Sequence, residues 1–431
     1  MLPAHRPVVV FCAVITLLFP TIISSAHEDT REDVIPGRIA IVGADNNVYI
    51  FTPQTGEMTS LTRDAFVDGR DYKYYTWPTW STDGRLAFFA MENNADIPVQ
   101  TQVYVLENGG DMGELIYRGE RELFNYASWA PENCSDSTSC RALSVLLSGA
   151  DGSGLFVEVI KDQVEGNPAE VIGRGGPFYF SWSPDGEQML WQRNNRRMDV
   201  YDLTSGEIDV ELSQRPGVFQ APDWSPVDDR WLFGVYNADE GKTDIVVQDG
   251  TEENIIAGDL EGTVSFTWSP DGEHVSYVDG NGPLQVLNAE TGETIARTVG
   301  AGVGPYFWAP DGKRIAYITL STMSDSATAS SGLLAAGLYQ EIRLAWSVLN
   351  VETGNVTRYG AFMPTRDMIY MFTYFDQFGQ SHSVWSPDSR YLVYGEVIED
   401  NNPTISIVDT SATDPVPLSV GDGTLAIWSY D

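Results

Sequence analysis

From Gly37 onward the chain is a succession of short runs in which apolar and polar positions alternate, cut by clusters of Gly, Pro, Asp, Asn, Ser and Thr. A period of two predicts half-buried strands, and no long helical period interrupts it. One phrase recurs along this pattern. WSPDG stands at Trp182 and Trp268, WAPDG at Trp308, WSPDS at Trp385 and WSTDG at Trp80; looser copies lie at Trp129 (WAPEN) and Trp224 (WSPVDD), and another begins at Trp428. The anchoring tryptophans recur at roughly 40 to 45 residues, the length of four short strands and their turns, except where segments are inserted. Phe180 to Ile208 shows the unit: a strand ending at Trp182, a turn through Pro184, Asp185 and Gly186, and a second strand from Met189. Met198 to Leu203 makes the third, and the fourth follows Thr204, Ser205 and Gly206. Pro fixes φ in such turns and Gly accepts a positive φ.

The last copy stops at Asp431 without the apolar run that follows the others, and GRIAIV at Gly37 to Val42 would supply it. The expected fold is therefore all-β, a single eight-bladed β-propeller of four-stranded blades. Its ring is expected to close by pairing of the N- and C-terminal segments, residues 37–62 with 424–431. The WSPDG-plus-strand repeat resembles that of TolB-type and WD-like propellers, and that of the propellers of prolyl-oligopeptidase-type peptidases. The resemblance covers residues 37–431 and implies the architecture, with more units than the usual six of TolB. It says little about function, because one propeller hosts many unrelated activities.

Residues 1–26 read as a signal peptide: Arg6 precedes an apolar stretch from Val8 to Ile23, and Ser24, Ser25 and Ala26 form a small-residue cleavage site. Residues 27–36 read as a linker and 37–431 as the propeller, with insertions at 321–341 and 362–383. The apolar stretch is shorter than the ~20 residues that span a bilayer, so membrane contact is expected only through an uncleaved leader. Export to the periplasm, the cell surface or the medium follows. In such an oxidising place Cys134 and Cys140 are expected to pair.

The sequence carries 25 basic against 61 acidic residues, a formal charge of −36. Such a surface repels nucleic acid and anionic lipid headgroups and favours a soluble monomer. No acidic loop has EF-hand ligand spacing, so no cofactor is assigned and calcium is left as the alternative.

Connections between units lie on one face of a propeller, around the channel mouth, and loops on a rigid scaffold are where function concentrates. The scarce cations fall there: Arg70, Lys73, Arg118, Arg121, Arg174, Arg215, Arg297, Arg358 and Arg366. They either make that face able to hold an anion or pair with neighbouring acids. The connection at Phe362 to Ser383 is rich in Met and aromatic residues, too apolar to stay naked in water. It is expected to plug the channel, to anchor a partner, or to cap a pocket. The candidate binding residues are Arg366, Tyr370, Met371, Phe372, Tyr374, Phe375, Phe378 and His382 of this connection, with Tyr72, Arg174 and Phe178 of others.

Enzyme chemistry finds less support. A hydrolase needs a G-x-S-x-G elbow, and the nearest string is GQSHS at Gly379 to Ser383. Zinc is disfavoured by the lack of Cys and His clusters. Asp367 and Asp376 are the carboxylate pair to test for a glycosidase. The expected function is a noncatalytic platform for a protein or peptide; the alternative is a carbohydrate-active enzyme, a glycosidase or lyase, working at the channel mouth.

Overall fold

A computed structural model describes residues 34–131, 142–161, 169–217, 221–321, 343–398 and 401–431. The expected leader, the Cys134–Cys140 pair and nearly all of the 321–341 insertion lie outside the described residues. From Ile35 to Asp431 the chain forms one compact unit, an all-β propeller. No helix among the described residues is long and apolar enough to cross a membrane.

The propeller has seven sheets rather than the eight expected. Each of five sheets contains four antiparallel strands, their innermost members ending at Trp129, Trp182, Trp224, Trp268 and Trp308. A sixth gains a short fifth strand, Phe66–Asp68, beside the innermost strand Asp71–Trp80. The seventh has six strands in the order Tyr391–Val397, Pro403–Asp409, Leu418–Trp428, Ile39–Gly43, Val48–Thr52 and Glu57–Ser60.

The correction has a local cause. Leu418–Trp428 runs unbroken for 11 residues. Its first half pairs with Pro403–Asp409, from Ile407 opposite Leu418 to Thr404 opposite Asp422. The second half pairs with Ile39–Gly43, Ile39 opposite Trp428 and Val42 opposite Leu425. One strand thus serves two units and fuses them into one sheet, while Trp385 contributes only an isolated bridge to Leu392. Counting tryptophans counts inner-edge positions, and the closure is a shared six-stranded sheet instead of an eighth blade completed by the termini.

The repeated tryptophans hold sheet to sheet. Trp129 Nε1 donates to the Thr79 carbonyl at 2.9 Å, Trp268 Nε1 to the Asp223 carbonyl at 3.1 Å and Trp385 Nε1 to the Phe307 carbonyl at 3.0 Å, each reaching the innermost strand of the preceding unit. Arginines stack on the same rings from the preceding unit: Arg85 on Trp129 at 4.5 Å, Arg230 on Trp268 at 4.8 Å and Arg314 on Trp385 at 5.7 Å. The motif's serine and aspartate close the turn, Ser183 Oγ donating to Asp185 at 2.6 Å. Gly186 sits at φ 69°, and a Cβ there would meet the Pro131 carbonyl at 2.9 Å, so the turn glycine also lets neighbouring units approach.

Trp428 is fully buried in the shared strand. Truncating it to Ala should cost about 3–5 kcal/mol, the usual range for a large core aromatic. Chemical denaturation of Trp428→Ala beside the parent checks this, and unchanged stability would refute the packing of the closing sheet.

Candidate binding site

The long connection folds as two short helices, α1 (Arg366–Thr373) and α2 (Phe375–Phe378). Thr365 caps α1: its Oγ1 accepts from Met368 N at 3.3 Å while donating to the Thr424 carbonyl at 2.5 Å. Met368, Met371 and Phe372 turn inward and are buried, whereas Ile369 and Tyr370 on the same helix are 49% and 38% exposed. This is an amphipathic helix written in few residues.

The segment from α2 to Ser383 plugs one end of the channel and binds the innermost strands around it. The Gln377 amide pairs with Phe180, accepting from its N–H at 3.0 Å and donating to its carbonyl at 2.8 Å. Asp376 Oδ2 accepts from Ala221 N at 2.9 Å, and the Ser383 carbonyl accepts from Trp428 N at 2.9 Å. Phe378 packs against Trp77 at 4.7 Å, Tyr126 at 5.2 Å and His382 at 5.0 Å. Phe375 meets Tyr306 at 5.0 Å. Trp77 is aimed at the plug by a register shift in its strand and stands at φ 48°, a conformation bulky residues seldom adopt.

His382 is fully buried within this plug. Tyr126 Oη donates to the Gln377 carbonyl at 3.0 Å and lies 2.8 Å from Ser381 Oγ, which lies 2.7 Å from His382 Nδ1. Thr79 Oγ1 is 3.1 Å from Nε2. Thr79 Oγ1 also donates to the Trp77 carbonyl at 3.2 Å, so both ring nitrogens sit in one continuous chain of hydrogen-bonding groups. Burial pushes the imidazole pKa down to about 3, so it is neutral.

Below the plug lies a cavity of about 610 Å³, the remainder of the channel. Its far end is ringed by the turn prolines Pro131, Pro184, Pro226, Pro270 and Pro310. On one side the residues preceding the anchoring tryptophans are polar, Ser128, Ser181, Asp223 and Thr267; on the other they are Phe307 and Val384. Asp223 is 7% exposed. Its Oδ2 accepts from Thr267 Oγ1 at 2.8 Å and Trp268 N at 3.0 Å, while Oδ1 has a long 3.5 Å contact from Ser181. Burial pushes its pKa up to about 6 despite those hydrogen bonds, and the Asp376 charge adds to the rise. Asp376 is raised by burial as well.

The candidate residues are distributed between two surfaces and the core. Met371, Phe372, Phe378 and His382 are buried plug interior, and Phe375 is partly buried against the channel wall. Phe178 is 1% exposed and packs on Trp191 at 5.3 Å, making it core instead of rim. Arg174 lies over the Phe156 ring at 5.0 Å. Arg366, Tyr370 and Tyr374 remain on the outer surface, where Tyr370 lies 5.2 Å from Tyr374 and 5.3 Å from Trp77. Tyr72 lies tilted against Tyr74 at 5.5 Å, and charges of Asp367 and Arg366 act on Tyr74, which places these tyrosines beside α1.

Of the basic residues, Lys73 pairs with Asp64 at 2.6 Å and Arg215 lies over Tyr236 at 5.5 Å, so local pairing accounts for several of them. Asp376 lines the cavity and Asp367 does not; its companion there is Asp223. That residue was legible. It is the only charged residue directly preceding an anchoring tryptophan.

No protein-family model matches the chain, and no curated protein sequence does. Among solved structures it is similar to a eukaryotic initiation factor, at 11% identity and a TM-score of 0.54, over 91% of this chain and 98% of the other. That likeness shows the fold alone. Oligogalacturonate lyase from Vibrio parahaemolyticus gives 17% identity over 86% of this chain and 98% of its own, with a TM-score of 0.48. TolB from Acinetobacter baumannii gives 15% identity over 79% and 81%, with a TM-score of 0.38. Neither of these two scores reaches 0.5, and neither carries an argument about activity.

The neutral imidazole makes the plug's contribution depend on pH. Between about pH 3 and 6.5 the unfolded chain takes up a proton on His382 that the folded chain refuses, so the contribution is full above 6.5 and lost as pH falls. Asp223 works in the opposite sense but is common to parent and variant. The difference in Tm between the parent and His382→Gln should therefore narrow from pH 7.5 to pH 4.5, and a constant difference would refute the buried neutral imidazole.

Proposed function

We propose that this chain is an exported, noncatalytic propeller that binds a protein or peptide on the outer face of its plug. The observation that carries the reading is the division of the long connection. Its inner face is pinned to the channel wall, and its outer face leaves Ile369, Tyr370 and Tyr374 exposed by 49%, 38% and 36%. Tyr72 and Tyr74, both partly exposed beside α1, extend the tyrosine patch. Tyrosine gives large, amphipathic contact area with few rotatable bonds, and it is enriched where proteins meet. The backing is rigid, so little ordering entropy opposes binding.

The competing reading, a carbohydrate-active enzyme, would use the cavity, because Asp223 and Asp376 are there and Asp223 is poised near neutrality. A glycosidase can employ such a raised carboxyl as its acid. The cavity suits an anionic uronate poorly, since no Lys or Arg is among its described lining residues.

A displayed random-peptide library selected on the mature protein tests the platform. Selected peptides should bind a triple Ile369→Ser, Tyr370→Ser, Tyr374→Ser variant at least about tenfold more weakly, as expected when central aromatic anchors are removed, while its Tm stays near the parent's. Peptides held equally by both proteins, or no selection at all, would overturn the reading.

A further inference from the structure

We infer that the channel cavity on the other side of the plug is a second binding site, for an organic ammonium ion carrying an apolar body. The inference is independent of the platform proposed for the outer face. A volume of about 610 Å³ falls within the range of small-molecule sites. The site is built rather than incidental: α2 floors it, and the innermost strands that wall it are tied to that floor through Gln377, Asp376 and Tyr126.

Charge selects the ligand. Among the described lining residues the only ionisable carboxyls are Asp223 and Asp376; none is Lys or Arg, and the one imidazole, His382, is neutral. A carboxylate removed from water with no cation nearby is costly. Asp223 retains acceptor capacity, because Oδ1 has only the long contact from Ser181. An ammonium group supplies three donors and the missing charge. Across from the polar side, Phe307, Trp308, Val384 and the prolines make an apolar wall, which suits a hydrocarbon or aromatic body.

Binding is then linked to protons. The cation favours ionised carboxylates, so ligand and proton compete at Asp223 and Asp376. The other titratable groups near them are His382, Tyr126, Tyr179, Tyr306 and Tyr430; the imidazole stays neutral to about pH 3, and burial raises all four phenols, so none changes charge between pH 5 and 7.5.

Calorimetric titration of the full-length mature protein with 4-phenylbutylamine, 4-phenylbutanol and 4-phenylbutyrate decides the matter on the parent alone. The amine should bind at least about tenfold more tightly than either isostere at pH 7.5, as expected for a charge-assisted contact. Its affinity should fall about tenfold at pH 5, from the raised Asp223 pKa. Asp223→Asn and Asp376→Asn, verified as folded by their Tm, should each weaken the amine while leaving the alcohol unchanged, and the outer-face triple variant should bind the amine normally. Equal binding of the three probes, no binding of any, or a loss confined to the outer-face variant would overturn the inference.

Discussion

In most of the propeller sheets the innermost strand has an edge with no further strand to pair with, and its N–H and C=O groups look into a channel too narrow for another sheet. Buried backbone groups must nevertheless be satisfied. This chain meets that constraint with side chains and loop carbonyls from one connection. Gln377 takes both groups of Phe180, Asp376 takes the Ala221 N–H, and Ser383 takes that of Trp428. Once those bonds are made, the aromatic residues of the connection have nowhere to go except against Trp77, Tyr126 and Tyr306. Plug, cavity and outer patch all follow from that pairing.

The same geometry separates two chemistries by the thickness of a short helix. Outward, the surface is mostly tyrosine and isoleucine, with Arg366 beside them. Inward, it is a half-polar well with two carboxyls, Asp223 buried and Asp376 partly so. The chain's large negative charge is mostly solvated exterior, but at Asp223 and Asp376 burial raises the carboxyls, and among the described lining residues of the channel these two are where charge can discriminate between ligands.

The strands and turns were legible because their signal is local: tryptophan packing, a serine–aspartate turn and a glycine at positive φ recur within a few residues of one another. The number of sheets was not, because fusion depends on Leu418–Trp428 continuing through a position where other units turn, and Gly421 and Gly423 there resemble turn residues. Phe178 shows a related limit. One residue of register separates rim from core, and a period of two cannot say where a strand begins relative to the channel mouth. The connection at 362–383 was legible as apolar, but which of its aromatics face inward depends on α1 and on partners more than 200 residues away in sequence, such as Tyr126. Asp223 is marked in the sequence only by its charge in front of the variant WSPVDD turn; that this position faces the channel follows from the closed ring and not from the local pattern.

A keystone cannot be set before the stones it locks. Gln377, Asp376 and Ser381 bind residues 180, 221 and 126, all earlier in the chain, and two later strands meet the connection, Tyr391–Val397 at Thr365 and Met363 and the closing strand at Ser383 and Thr365. Chains are made from the N-terminus and fold progressively as they emerge. Most of the channel wall therefore exists when the plug arrives, and residues 418–428 follow to seal it. The place of the long connection in the sequence, late but not last, is the place that this order of assembly requires.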